Sequence, residues 1–402
     1  MFSDIPLTYF DCTHRTIAPS KTIENNEKKL KDAGITRLTE ISGLDRLGIP
    51  VFSCIRPTAQ DGGVSVYAGK GATPEQAKAS AMMEGFERYS GERKLEDNEN
   101  IIVKSPNEMD NYIEPESLIL SKEVDRDTIN DSKIEWTLSK DIISQEEYYI
   151  PANAIYHPYV VENGITPLFK GNTNGLASGN VLEEAVLHGI FEVIERDAWS
   201  IFELTKKNEK QIDTKTIENP MINSLLEKFE NNSINIKLMD LTADIGIPTI
   251  AASSDDTLLE DPALLTLGVG THLNGEIATL RALTEVAQSR ATQIHGTRED
   301  TTRANFMRKA GYKRMKHINH HYFEDEENKI NLEDIENKST NSLKEDIEIC
   351  QSEILSVDLD KILFKDLTRS EIGVSVARVV IPQAELFALD PDRIGTRFKK
   401  FN

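Results

Sequence analysis

The chain has 402 residues, 39% of them hydrophobic and 28% charged, with a formal net charge of −21. This is enough chain to bury a sizeable core, as roughly two to three domain-sized units or one large domain with an appendage. The acidic excess argues against a nucleic-acid binder, whose affinity for phosphate comes mainly from Lys and Arg, and no run of about twenty apolar residues exists to cross a membrane.

The N-terminal MFSDIPLTYFDCTHR has no basic stretch followed by an apolar run, so no signal peptide is expected. Cys12, Cys54 and Cys350 are widely spaced and form no C-x-x-C pair. That usage points to a reduced cytoplasmic protein without a zinc or iron–sulfur site. Residues 21–34 read as an amphipathic helix ending at Gly34, followed by strands within 36–44 and 49–57. SVYAGKGATPEQAKASAMMEGFERYSGE reads as strand, glycine turn and helix, with Thr73 as N-cap and Pro74 at the first helical position. Residues 94–150 are polar, with short strand signals in IIVK and EEYYIP. PLFKGNTNGLASGN reads as a loop leading into the helix VLEEAVLHGIFEVIERDAWSIFEL. INIKLMDLT, IPTIAASS and LLTLGVGTHLN read as strands, and GEIATLRALTEVAQSRATQIHG as a third long helix. Residues 322–349 are strongly acidic and poor in large apolar side chains, which predicts a surface excursion with some helix rather than core. KILFKDLT and VSVARVVIP close the chain as strands. The alternation of strands and helices gives an α/β (α+β) class.

The three long helices carry the chemistry. Residues three, four and seven apart share a helix face. In the first helix this aligns Ser80, Glu84 and Glu87. In the second it aligns Glu184, His188, Glu192 and Glu195. In the third it aligns Arg281, Glu285, Gln288 and Thr292. E-x-x-E-R occurs twice, as Glu84, Glu87, Arg88 and as Glu192, Glu195, Arg196. One such motif is most simply a solvated face with local ion pairs. Two copies, each on a helix apolar on most other sides, imply partly enclosed acidic stripes. At about 5 Å and an effective dielectric near 20, two carboxylates repel by roughly 3 kcal/mol. Divalent cations relieve this, and Mg²⁺ favours carboxylate oxygen while leaving positions for phosphate oxygens. Arg88 and Arg196 are placed to clamp phosphate or orient a carboxylate. AGKGAT adds a glycine turn with Lys70 ahead of a helix, although the spacing is not that of a Walker A loop. The residue reading is therefore a Mg–nucleotide site between duplicated helices. His188 reads as a hydrogen-bonded structural residue. Arg290 lies about 160° round its helix from Gln288, so it either reaches round or serves another contact.

At these residues the sequence resembles the YcaO family. The resemblance rests on S-x-x-x-E-x-x-E-R at Ser80–Arg88, NVLEEAVLHGIFEVIERDA and TEVAQSRATQIHGTRED. It is supported by SGLDRLGIPVFSCIRP, GKGAT and DLTRSEIGVSVARVVIP, and runs from about residue 15 to 400. It implies two related α/β halves around an ATP site between the carboxylate-bearing helices. It also implies a catalytic domain 62–402 and a homodimer; segment 1–61 is expected to dock on that domain, because ISGLDRLGIPVFSCIRP alternates apolar residues as a strand does and leads straight into it. By matching positions, Glu84, Glu87, Glu192 and Glu195 would hold Mg²⁺. Lys70, Ser80, Glu84, Asn180, Glu184, Arg88, Arg196, Gln288 and Arg290 would contact ATP. The implied reaction is ATP-dependent activation of a peptide backbone amide, without a covalent protein nucleophile. Azoline-forming members usually end in a proline-rich tail, whereas this chain ends DPDRIGTRFKKFN. The compact form resembles the thioamide-forming methanogen members. These take sulfide, install thioglycine in the α subunit of methyl-coenzyme M reductase, and often work with a TfuA-type partner. Two other readings stand beside this one: an azoline-forming cyclodehydratase, and a non-catalytic partner protein.

Overall fold

The computed structural model describes residues 2–11, 13–207, 210–296, 303–325 and 329–401; Cys12 lies outside them. In chain order the elements are the hairpin β1 (Thr8–Phe10) and β2 (Thr13–Arg15), helix α1 (Pro19–Asn26), and strands β3 (Arg37–Glu40), β4 (Val51–Ile55) and β5 (Val66–Lys70). Helix α2 (Pro74–Gly91), strands β6 (Ile102–Lys104), β7 (Ile134–Asp141), β8 (Glu147–Pro151) and β9 (Leu176–Gly179), and helix α3 (Leu182–Thr205) follow. Then come β10 (Gln211–Ile212), α4 (Pro220–Asn231), β11 (Ile234–Asp240), β12 (Thr249–Asp256), β13 (Thr266–Thr271) and α5 (Gly275–His295). The chain continues with α6 (Arg303–Ala310), α7 (Tyr312–Ile318), β14 (Lys329–Ile330), α8 (Leu343–Leu355), β15 (Leu363–Asp366) and β16 (Ser375–Val380).

Apart from the β1–β2 hairpin, the described strands make three sheets, ordered β3-β4-β5, β6-β7-β15-β16-β9 with β8 on β7, and β13-β12-β11-β10-β14. Each sheet carries one long helix directly after a strand: α2 after β5, α3 after β9 and α5 after β13. The two E-x-x-E-R helices, α2 and α3, belong to two of these strand–turn–helix units, and α5 belongs to a third.

The local chemistry of these units is readable. Thr73 accepts the Gln76 amide at the start of α2, and Asn274 accepts the Glu276 and Ile277 amides at the start of α5. The helices lie close on their strands because the strands carry glycine. A Cβ on Gly69 would sit 2.0 Å from the Ala81 nitrogen, and one on Gly268 would sit 2.2 Å from the Ala282 oxygen. At Gly179 it would sit 2.5 Å from the Ala185 nitrogen. Large apolar side chains seal the remaining helix sides. Met82 and Phe86 pack with Tyr67 and Cys54, Ile190 and Ile194 pack with Val379, and Leu283 and Val286 pack with Ile250.

Other sequence expectations change in detail. The first helix is shorter than 21–34, because α1 ends at Asn26 and a 3₁₀ turn, Glu27–Lys29, follows. β7 was hidden in the polar region 94–150, where residues facing the interior, including Glu135, Thr137 and Asp141, are themselves polar. β9 lies inside the stretch read as loop. The acidic segment 322–349 is not a surface excursion. Tyr322 is buried, β14 pairs with β10, and Leu343, Ile347 and Cys350 of α8 join the core against α3. Its acids occupy mainly the outer face, so composition averaged over the segment masked a period-3.6 apolar stripe. Residues 326–328 of this segment lie outside the described residues. Segment 1–61 supplies β3, which pairs with β4, and β4, which pairs with β5, together with α1, which packs on α2.

A methyl group at Gly69 or Gly268 must push helix backbone, not a flexible side chain. Gly69→Ala and Gly268→Ala should each destabilise by about 2–3 kcal/mol, as overpacked cores do. Gly43→Ala, with nothing within 4 Å, should be near neutral. Urea unfolding of the three variants checks this; equal midpoints would refute the close-packing account.

Candidate active site

The three long helices turn their charged faces into one cavity of about 600 Å³. Ser80, Glu84, Glu87 and Arg88 reach it from α2. Asn180 enters from the turn before α3, and Glu184, His188, Glu192, Glu195 and Arg196 enter from α3 itself. Arg281, Glu285, Gln288 and Thr292 come from α5, and Lys70 from the end of β5. The helical spacings that align these residues in the sequence are thus the spacings that converge in space.

Arg290 is the exception. It is fully buried on the opposite side of α5, where Nε donates to Asp45 at 2.8 Å and Nη2 to Asp256 at 3.0 Å. It does not line the cavity, so the sequence reading of Arg290 as a nucleotide contact is corrected. Helix geometry carries it away from Gln288, and two aspartates hold it there.

Inside the cavity the cations pair with the acids. Arg88 lies 3.2 Å from Glu84 and 3.0 Å from Glu87, and Arg196 lies 3.5 Å from Glu195. Arg196 also stands over the Trp199 ring at 5.3 Å. Lys70 Nζ pairs with Glu285, while the Lys70 amide donates to Ser80 Oγ at 3.3 Å. The Gln288 carboxamide donates to the Ala68 carbonyl. Arg281 donates to His188 Nδ1 at 3.3 Å, and burial with the nearby Arg281 charge holds His188 well below its usual pKa, hence neutral. Glu184 is already committed. It accepts from Thr16 Oγ1 at 2.7 Å and from the Asn180 carboxamide at 2.9 Å, tying the N-terminal segment to α3. Asn180 in turn accepts from Thr22 at 2.9 Å.

The acids are not at ease. Burial pushes the Glu87 carboxyl up to about 8, with Arg88 opposing and Glu192 and Glu84 adding to the shift. Burial pushes Glu195 up to about 7 against Arg196, and raises Glu192 against Arg196 and Arg88. Burial works against Glu285 too, but Lys70 and Arg196 hold it below its usual range. Ionised carboxylates enclosed in this way need added positive charge.

The donor set fits magnesium with a polyphosphate better than a metal held by protein alone. Among the described residues no three His, Cys, Asp or Glu side chains converge to metal-binding distance. Mg²⁺ is commonly held by one or two carboxylates, with phosphates and water completing its shell. Glu84, Glu87, Glu192 and Glu195 could supply those carboxylates. Arg88, Arg196 and Lys70 could meet phosphate oxygens. The buried Arg196 Nε has no hydrogen-bond partner, so a donor remains for an anion.

Two contributors carry no assigned role in the sequence reading, and a third, Arg15, is absent from it. Arg281 and Glu285 were visible as the i−7 and i−3 neighbours of Gln288, but no acidic repeat marked them. Arg15 and the β2 hairpin close the cavity from the N-terminal side through long-range contacts that carry no local signal.

Comparison with known proteins follows the same residues. The family model described as YcaO cyclodehydratase, ATP- and Mg²⁺-binding, matches residues 68–385. An uncharacterized protein of Methanothermobacter thermautotrophicus is 53% identical over 385 residues, 96% of this chain and 98% of that one. An uncharacterized protein in the tfuA 3′ region of Rhizobium leguminosarum bv. trifolii is 30% identical over 387 residues, 94% of this chain and 90% of that one. The structure of YcaO from Methanopyrus kandleri bound with AMPPCP and Mg²⁺ superposes with a TM-score of 0.78 at 27% identity, covering 98% of both chains.

The raised carboxyls set a sign for stability. A carboxyl whose folded pKa exceeds its unfolded value of about 4.3 binds extra protons when folded, so its contribution fades as pH rises through the folded value. For Glu87 the window ends near 8. In the ligand-free protein, Glu87→Gln should therefore raise the melting temperature at pH 8.5 relative to pH 5.5, while abolishing the stabilisation given by Mg²⁺ with ATP. A variant that melts lower at pH 8.5 yet keeps the ligand shift would contradict both the burial and the metal role.

Proposed function

The chain belongs to the YcaO family, and from that premise we propose that it converts a peptide backbone amide to a thioamide with sulfide as nucleophile. The family places it among ATP-dependent amide-activating enzymes with ATP and Mg²⁺ as cofactors. The observation that carries the reading is the single cavity into which the E-x-x-E-R faces of both α2 and α3 converge.

When bound, Mg²⁺ with ATP supplies the phosphoryl group that turns the amide oxygen into a leaving group, and the metal offsets phosphate charge. In the proposed division of labour Glu84, Glu87, Glu192 and Glu195 hold the metal. Arg88, Arg196 and Lys70 contact the phosphates, Gln288, Ser80 and Asn180 fix the nucleotide, and Glu184 anchors the closing N-terminal segment. Sulfide adds to the amide carbon, the oxygen departs as phosphate, and sulfur stays. The sulfur comes from outside the protein. Burial pushes the Cys54 thiol up to about 12 and Cys350 well above its usual value, the reverse of a reactive thiolate.

In this reading the substrate is the α subunit of methyl-coenzyme M reductase, modified at a glycine, a choice supported by the likeness to chains from Methanothermobacter and Methanopyrus. A TfuA-type protein as partner is supported by the relative in the tfuA 3′ region. A homodimer belongs to the same proposal. The second reading, an azoline-forming cyclodehydratase, is favoured by the description of the family model.

The test is the intact mass of a glycine-containing peptide from that α subunit after incubation with the enzyme, ATP, Mg²⁺ and sulfide. Thioamidation predicts a gain equal to sulfur replacing oxygen, lost when ATP, Mg²⁺ or sulfide is withheld. Loss of one water would establish the cyclodehydratase reading instead. An unchanged mass with ATP turnover intact would overturn the substrate assignment.

A further inference from the structure

Residues 303–322 hold six Lys or Arg and no Asp or Glu, in a chain of net charge −21. They form a helical hairpin, α6 and α7, bent at Gly311, whose φ of 86° is open to glycine. One side of the hairpin is used by the fold. Arg308 pairs with Asp261 at 3.0 Å, Lys316 pairs with Asp255 at 2.7 Å, Tyr312 donates to Asp255, and Met315 is buried. The other side is not. Lys309, Lys313 and Arg314 are exposed and make no ion pair among the described residues. Two large apolar side chains on the same two helices are also exposed, Phe306 at 69% and Ile318 at 53%. Phe306 and Lys309 share a face of α6, and Arg314 and Ile318 share a face of α7.

Its placement matters. The hairpin packs on the turn Pro262–Leu264, which also touches α5. Ser253 Oγ on β12 donates to the Tyr322 carbonyl at 2.7 Å, fixing the hairpin's far end. The C-terminal turns of α5 carry Thr292 and Gln293, which line the cavity.

We propose that this face of the α6–α7 hairpin docks an acidic polypeptide segment bearing apolar side chains, and so holds a protein substrate beside the cavity. The proposal rests on the reading above that the enzyme modifies a polypeptide. Charge complementarity selects the occupant. The unpaired cations form a basic island that attracts acids which the rest of the surface repels. A phosphate backbone fits less well, since three free cations give few phosphate contacts and leave Phe306 and Ile318 with nothing apolar to cover them.

The test uses the full chain and a fluorescein-labelled synthetic peptide of alternating Glu, Asp and Leu, read by anisotropy. The peptide should bind the native protein at low salt. Lys309→Glu/Lys313→Glu/Arg314→Glu should weaken it by about tenfold or more, with steep salt sensitivity. Phe306→Ala should weaken binding without changing that sensitivity. ATP hydrolysis without peptide should be unchanged in both variants. It separates a failed docking face from a failed reading of the enzyme, because none of these side chains lines the cavity. Peptide binding unaffected by charge reversal would overturn the proposal. So would preference for duplex DNA over the peptide at equal salt, or a change in the protein's own oligomeric mass on charge reversal.

Discussion

The structure depends on enclosing like charges. Glu87, Glu192 and Glu195 lie in one cavity, each with its pKa raised by burial, and Arg88 and Arg196 offset only part of the cost. A protein selected for stability alone would replace such groups with apolar ones, as buried ion pairs often permit. Their retention makes sense where the missing positive charge arrives with the ligand. The same arrangement explains why no all-protein metal cluster forms among the described residues. Carboxylates packed tightly enough to cage a cation would repel one another severely before it arrived.

Holding that arrangement requires rigid supports. Each acidic or mixed face is presented by a long helix pressed onto a glycine-bearing strand, at Gly69, Gly179 and Gly268. The glycines set the depth of each helix, and the apolar residues on its other sides fix its rotation. Rotation decides the chemistry: on α5, Gln288 faces the cavity while Arg290, two residues later, is locked between Asp45 and Asp256. The N-terminal segment then closes the cavity through Thr16 and Thr22, which bind Glu184 and Asn180. Two residues that look like nucleotide ligands in the sequence are thereby partly employed in holding the wall.

Much of this was legible in the residues. The helices α2, α3 and α5, their caps and their polar faces follow from spacing and from Thr73, Pro74 and Asn274. Local pattern fails where a contact is long-range. β7 could not be read because its inward side chains are polar and satisfied by distant partners: Arg93 pairs with Glu135 at 2.9 Å and the Ile362 amide donates to Asp141 at 3.1 Å. α8 was missed because acids outnumber large apolar residues over the whole segment 322–349, although the helix itself buries Leu343, Ile347, Cys350 and Ile354. Arg15 reaches the cavity only because β1 and β2 fold back over α3, which no local signal announces. The third strand–helix unit was missed as a repeat because its helix carries Gln288 and Arg281 in place of the E-x-x-E-R signature.

The central claim is that the enclosed carboxylates accept nucleotide only together with a divalent cation. Isothermal titration of ATP into the protein, with Mg²⁺ and again in excess chelator, tests it most directly. The account predicts that affinity falls by about two orders of magnitude or more without the metal, since phosphate and carboxylate then repel at close range. Equal affinity in the two titrations would contradict it.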